Sequence, residues 1–547
     1  MAVSKNSKNS RRSKNVAPAG EGGVAVTAIC LLASLAVMTV AIFYYYQTGA
    51  TLYSGDAEAH LNIARRVVES RTPGWVQLGT TWLPLPHILM MPLVRRDWFW
   101  RTGMAGAIPA GLLTAMAATF LFAALRRVWG SVPAAAAGAA VYLLNPNTLY
   151  LGSIPMTEPA LYCSLFGILY FTVRFADTQG WGALLGAALC AWAGTLTRYE
   201  GWFLLPFLAV FFWLHAPGKR WSAAVVFCVI AGSGPLLWMA HNWWHFEDPL
   251  YFYRGPWSAK AIQANRPYHG LGNWREATEY FFAAGRLITG LPALVLAGVG
   301  GVAAAFPRRA RWPLFLLVLP PVFYVWSIHS SGGSPIHVPQ LEPHGWYNIR
   351  YAMAFLPLVS LGVAALTGAA PEGRRRLPGA ALLVVTLIPF FTDWKAHPAM
   401  QPITWDEAEI NSRGRRAWTS QAVQFLRVAA GPHETFFTSF SDMTAIYREL
   451  GVPLRDTLTG DNNPQFLMAQ SRPDLFLWED WAVVMGGDTV QGIIDRARLK
   501  GPRYELSRRI FVKGQPVIEI YHRQFESPEI HRDAEARDTE AYEDSVH

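Results

Sequence analysis

Eleven apolar runs divide most of this chain, at about residues 24–46, 104–125, 132–150, 158–174, 181–196, 201–216, 221–241, 287–306, 312–328, 350–370 and 378–392. A helix that crosses a bilayer needs about 20 apolar residues, so each run is read as a span, the shorter ones near the lower limit. The first loop, 47–103, opens with helical spacing: Ala57, Leu61, Ala64 and Val68 on one face, Asn62, Arg65, Arg66 and Glu69 on the other. "RTPGW" (71–75) ends that helix. "WLPLPHILMMPLV" (82–94) is apolar but short and broken by proline, which predicts an interfacial or re-entrant segment.

Past about residue 393 the period changes. "ETFFTSF", "DLFLW" and the hairpin "ELSRRIFVKGQPVIEIYHR" predict strands; "SQAVQFLRVAA", "SDMTAIYRELG" and "DTVQGIIDRARLK" predict helices. The expected fold is mainly α: a polytopic membrane protein of about 11 transmembrane helices, with a small α/β domain over 393–530. Residues 1–23 (basic, Ser/Asn/Gly-rich) and the acidic tail 531–547 are expected to be disordered. The run after residue 23 exceeds a signal-peptide core of roughly 7–15 residues, so it is read as an uncleaved anchor.

Composition agrees: 16% of the 547 residues are charged and 52% hydrophobic, with 23 Trp and 30 Phe, where a soluble domain carries about 25% charged residues. The net charge of +9 falls in short clusters between apolar runs, which fits membrane topology and argues against a nucleic-acid partner. With the N-terminus cytoplasmic, every inner connection is basic: Lys5 to Lys14, Arg126–Arg127, Arg174, Lys219–Arg220, Arg308 to Arg311 and Arg374 to Arg376. The short outer connection 145–157 has no Lys or Arg. Loops 47–103, 242–286 and 329–349 and the C-terminal domain are then extracytoplasmic. Four cysteines lie inside apolar runs without C-x-x-C spacing, so neither disulfides nor a zinc site is expected. The absence of paired cysteines on the outer side favours a prokaryotic inner or plasma membrane.

On this layout the ionisable residues gather on the outer side. They are Asp56, Glu58 and His60 in "SGDAEAHL", Glu158 in "PMTEPALY", and Arg198 and Glu200 in "TRYEGW". Others are Arg254 after "HNWWHFEDPLYFY", and Arg350 with Tyr351 in "NIRYAMAFLP". Polar groups at membrane depth are costly and usually face a wet cavity. Each has a plainer reading. Asp56 suits a helix cap and Glu58 the helix dipole. Arg198 and Glu200 suit a structural ion pair. His241 and His245, four apart, suit an aromatic belt better than a metal site. Their convergence at span ends favours one outward cavity.

Those motifs, in that order, resemble the integral-membrane glycosyltransferases of the GT-C superfamily, especially the protein mannosyltransferases and the aminoarabinose transferases. The resemblance covers the architecture of most of 24–392, although the first acids are spaced D-x-E and the second-loop acid is Glu rather than Asp. It implies transfer of a sugar from a polyprenyl-phosphate donor lipid to a hydroxyl of a glycan, lipid or protein acceptor. Asp56 is then the general base, because the attacking hydroxyl must lose its proton. Glu58 and Glu158 orient the acceptor, tune Asp56 or hold a cation. His60, Arg198, Glu200, Arg254, Arg350 and Tyr351 line the substrate site, with Arg350 and Arg198 stabilising the leaving phosphate. No cofactor is assigned, and a divalent cation, Mg or Mn, is left open. One displacement inverts the anomeric carbon. The rivals are an oligosaccharyltransferase using a lipid-pyrophosphate glycan, a lipid flippase or transporter, and a non-catalytic scaffold.

Overall fold

The computed structural model of the protein describes residues 21–264, 266–392, 400–439, 443–500 and 503–524. The expectations for residues 1–20 and for the acidic tail lie outside these residues.

Every apolar run contains helix, but the helices are uneven. Among the described residues six are long and apolar enough to cross a membrane: Gly23–Gln47, Met104–Trp129, Glu158–Thr178, Arg220–Phe246, Arg308–His329 and Ile349–Ala369. A seventh span arises if Trp274–Thr289 and Leu291–Ala305, bent by 107°, are counted together. The remaining runs give shorter apolar helices, so the expected eleven full spans are not all present at full length. Local chemistry explains two of the breaks. Asn145 stops the 132–150 run, because its side chain accepts a hydrogen bond from the Asn147 amide and caps a new helix at Pro146. Gly290, at φ 79°, ends the amphipathic helix Trp274–Thr289 before the next begins.

These helices make an integral membrane protein. Their basic ends meet: Arg127 lies 3.3 Å and Arg309 3.8 Å from Asp177, and Lys219 donates to the Gln179 carbonyl at 2.6 Å.

At the other end lies the helix Gly55–Val68. Ala57, Leu61 and Ala64 are fully buried, as the spacing predicts. Its expected polar face is buried too, because partners far along the chain cover it. Asn62 accepts from the Trp100 indole at 2.9 Å, Arg65 meets Asp97 at 2.6 Å and Arg66 pairs with Asp461. The 82–94 segment forms the helix Leu85–Val94, whose Met90 and Val94 pack on Leu61 and Ala64.

The C-terminal sheet has five strands: β1 Phe436–Thr438, β2 Thr457–Leu458, β3 Trp481–Met485, β4 Tyr504–Ile510 and β5 Ile518–Arg523. Their order is β2-β1-β3-β5-β4, parallel among the first three and antiparallel from β3 onward. "DLFLW" is not a strand: Pro473 starts a single helical turn there, and the buried run "WAVVM" supplies β3 instead. One sheet face packs on Trp418 and Leu426 of the long helix Ile403–Ala429, the other on Ile493 and Ile494.

Candidate active site

Arg350 is the centre of the polar cluster. Its Nη2 donates to an Asp56 carboxylate oxygen, and its Nε donates to Glu158 Oε1 at 3.1 Å. Its Nη1 lies 3.8 Å from Glu407. Arg198 approaches from the opposite flank, donating to Glu158 Oε1 at 3.2 Å, to Glu200 at 2.8 Å and to the Thr157 hydroxyl at 2.9 Å. The Tyr324 hydroxyl donates to Glu200 and stands 3.4 Å from Arg198. Both guanidiniums lie near the Tyr351 ring, with their carbons 5.2 and 5.3 Å from its centroid. Such cation–π contacts strengthen as water is excluded.

The backbone places these groups from six separate elements. Arg198 caps the helix Tyr199–His215 at a turn held by close approach: a Cβ on Gly201 would sit 2.4 Å from the Gly194 backbone. Glu158 opens the helix Glu158–Thr178, where partial positive charge at the N-terminus favours a carboxylate. The loop before it fits against Gly106, where a Cβ would lie 2.4 Å from Pro155. Arg350 sits in the 3₁₀ turn Ile349–Phe355, which Glu407 caps by accepting from the amides of Asn348 at 2.8 Å and Ile349 at 3.1 Å.

Access differs sharply within the cluster. Glu158 is 3% exposed in its side chain, Arg350 13% and Arg198 15%, whereas Asp56 is 37% exposed. Asp56 is therefore the carboxylate a ligand can reach. Ser54 precedes its helix without a side-chain capping bond, and the Asp56 carboxylate goes to Arg350 rather than to the helix end. Burial alone would raise the Asp56 pKa, but Arg350 overrides it and holds the carboxyl below its ordinary value. Burial pushes Glu407 up to about 6, against the pull of Arg350.

Asp56, Glu158, Arg198, Glu200, Arg350 and Tyr351 thus come together, with His60 at their edge, one helical turn from Asp56 and within electrostatic reach of Asp56, Glu158 and Arg350, whereas Glu58 and Arg254 do not join them. Glu58, two residues past Asp56, accepts from Arg448 at 2.8 Å and from Asn62 at 3.2 Å. His60 pairs its Nδ1 with Nε2 of His87 at 2.9 Å, and burial pushes it down to about 4, so it is neutral at physiological pH. Arg254 is 62% exposed and lies 3.4 Å from Asp248. His241 stacks on Trp238 and contacts the Gly79 carbonyl at 3.0 Å. Sequence reasoning missed Glu407, Tyr324 and His87. Among the described residues no group of three or more His, Cys, Asp or Glu side chains is placed to hold a metal ion. Asp56 and Glu158 are instead bridged by a guanidinium.

No family model and no curated protein matches this sequence. The fold does match. The crystal structure of ArnT from Cupriavidus metallidurans in the apo state covers 91% of this chain and 98% of its own, with a TM-score of 0.53 at 14% identity. The chain has an ArnT-like fold. That likeness bears out the expected GT-C-like architecture at the level of fold. At this identity the ArnT likeness concerns the path of the backbone, and the roles of side chains rest on the contacts above.

Proposed function

We propose that this protein is a membrane glycosyltransferase of the GT-C type that transfers a sugar from a polyprenyl-phosphate donor to an acceptor hydroxyl on the extracytoplasmic side. The single observation that carries the reading is Arg350 joined at once to the accessible Asp56 and the buried Glu158. An anionic base and a phosphate-binding cation thereby share one cluster.

In the proposed step the acceptor oxygen attacks the anomeric carbon while its proton passes to Asp56. The new oxygen–carbon bond forms as the bond from the anomeric carbon to the phosphate oxygen breaks, and polyprenyl phosphate departs with the electron pair. Attack opposite the leaving group inverts the anomeric centre. Arg350 and Arg198 offer guanidinium N–H groups to the phosphate oxygens as charge builds there. Glu158 is a positioning residue in this scheme, since its Oε1 holds both arginines.

Asp56 is a weak base while Arg350 is bound to it, because its pKa is depressed. A donor phosphate competes for the same guanidinium. Drawing Arg350 toward the phosphate removes the charge that holds Asp56 acidic, so donor binding itself raises the basicity of Asp56. The reading also places the N-terminus in the cytoplasm and the C-terminal α/β unit, 393–530, outside.

The test is glycolipid and glycan profiling of cells lacking the gene, complemented with wild type or with Asp56→Asn at matched membrane levels. One glycosylated species should disappear in the deletion, return with wild type and stay absent with Asp56→Asn. Full restoration by Asp56→Asn removes Asp56 from the mechanism, and an unchanged profile in the deletion removes the activity.

A further inference from the structure

A second polar cavity lies between the Gly55–Val68 helix and the C-terminal half of the chain. Its volume is about 240 Å³, and its lining includes Arg101, Arg415, Arg416, Arg448, Glu58 and Glu449. None of Asp56, Glu158, Arg198 or Arg350 lines it. Its walls come from the end of the first span, through Tyr46 and Gly49, and from the helices Asp97–Thr102, Ile403–Ala429 and Thr444–Leu450.

The charges in this cavity do not balance. Arg448 is matched by Glu58 at 2.8 Å and Glu449 at 3.4 Å, and Arg416 by Glu409 at 3.1 Å. Arg416 also lies flat over the Tyr53 ring, 3.9 Å from its centroid. Arg415 has no such match. It is 8% exposed and donates to the backbone carbonyls of Leu52, at 3.3 Å, and Tyr53, at 2.8 Å. Arg101 donates to the Glu449 carbonyl at 3.1 Å. Among the described residues no carboxylate lies within ion-pair distance of Arg101 or Arg415. A buried cation without a counter-charge is costly, because carbonyl dipoles replace only part of its hydration.

We infer that this cavity is a binding site for a phosphate group, separate from the Asp56 cluster. Two of the four guanidiniums lining the cavity, those of Arg101 and Arg415, have no carboxylate partner among the described residues, and a phosphomonoester brings about −1.5 to −2 of charge. Guanidinium forks match phosphate oxygens in pairs. A water's share of liquid volume is about 30 Å³, so the cavity holds a phosphoryl group and part of what carries it. The phosphate comes from either of two sources: a membrane phospholipid headgroup reaching in beside the first span, or a phosphorylated soluble or acceptor molecule.

The experiment uses the full chain in phosphatidylcholine nanodiscs, titrated with inorganic phosphate and read by calorimetry. Wild type should bind saturably, and Arg101→Gln and Arg415→Gln should each weaken binding at least tenfold. Arg101 is exposed and free of carboxylate partners, so its variant keeps the test sound if Arg415→Gln fails to fold. Binding lost in Arg350→Gln but retained in Arg101→Gln would assign the phosphate to the Asp56 cluster and overturn the inference, as would no saturable binding at all. Nanodiscs containing phosphatidic acid then separate the sources. A tenfold weaker phosphate affinity there, absent in Arg101→Gln, marks a lipid headgroup; an unchanged affinity marks the soluble or acceptor phosphate.

Discussion

Asp56 and Glu58 are two residues apart on one helix and do opposite things. Asp56 is 37% exposed and shares its guanidinium partner with Glu158; Glu58 is 3% exposed and held by Arg448 and Asn62. A helix turns about 100° per residue, so positions two apart point to nearly opposite sides. One side opens on a cluster built from span ends, and the other is covered by a segment almost four hundred residues later. Two carboxylates in a three-residue motif are therefore not a pair. Under the proposed function, the helix wall between them separates chemistry from support.

The comparison breaks most visibly at Asp56. In purified protein with a polyprenyl-phosphate-sugar donor, Asp56→Asn should lower turnover by roughly 10²–10⁴, the usual contribution of a positioned general base. The thermal midpoint should move little, because Asn still accepts from Arg350. A variant with turnover within about threefold of wild type would contradict the assignment. Next in size is Arg350→Gln, expected to cost about 10²–10³ in turnover through loss of charge stabilisation at the leaving phosphate. It carries a second, diagnostic effect. Without Arg350 the Asp56 carboxyl loses the partner that depresses its pKa, so the acid limb of the pH–rate profile should move to higher pH. An unshifted limb would show that Arg350 does not set the basicity of Asp56.

Glu58→Gln should behave in the contrary way. Breaking a buried ion pair by removing one partner costs about 3–5 kcal/mol, since the other charge stays buried and unmatched. The Arg448 and Glu58 side chains are 10% and 3% exposed, but Arg448 keeps Glu449 at 3.4 Å and Gln still accepts a hydrogen bond from it, so only part of that applies. Folded yield and thermal midpoint should fall while turnover per folded molecule stays within about twofold. Normal stability with lost turnover would place Glu58 in the reaction and erase the contrast.

The legible part of the site is the part the membrane makes expensive. Asp56, Glu158, Arg198 and Arg350 stand at the ends of apolar runs, where a charge demands explanation, and the alternation of basic clusters puts them on one side. Glu407 had no such signal. It sits in "ITWDEAEINSRGRR", among other acids on a long amphipathic helix, and nothing local marks it as the carboxylate that turns inward to cap residues 348 and 349. The buried polar face of Gly55–Val68 was hidden for the same reason: Arg66 finds Asp461 only after the chain has folded back. Span lengths were misjudged where one Asn cap or one left-handed Gly stops a helix inside a continuous apolar run. Nonlocal covering and single-residue caps leave little trace in hydropathy.

Glu407 also supplies the finest test of the contrast, since it titrates near neutrality on the Asp56 side. Its folded pKa is about 6 against an ordinary 4.5. Between those values the folded state binds more protons than the unfolded state. Stability therefore falls as pH rises from about 4.5 through about 6, and is flat above. The full difference is at most about 2 kcal/mol, at 1.36 kcal/mol per unit. Glu407→Gln removes the titration but leaves only one oxygen to accept from the two backbone amides, a constant loss of about 1 kcal/mol. Thermal midpoints between pH 4.5 and 7 separate the two effects, since the variant should start lower and lack the wild-type decline. If the decline persists in Glu407→Gln, the titrating group lies elsewhere and the 348–349 cap is purely structural.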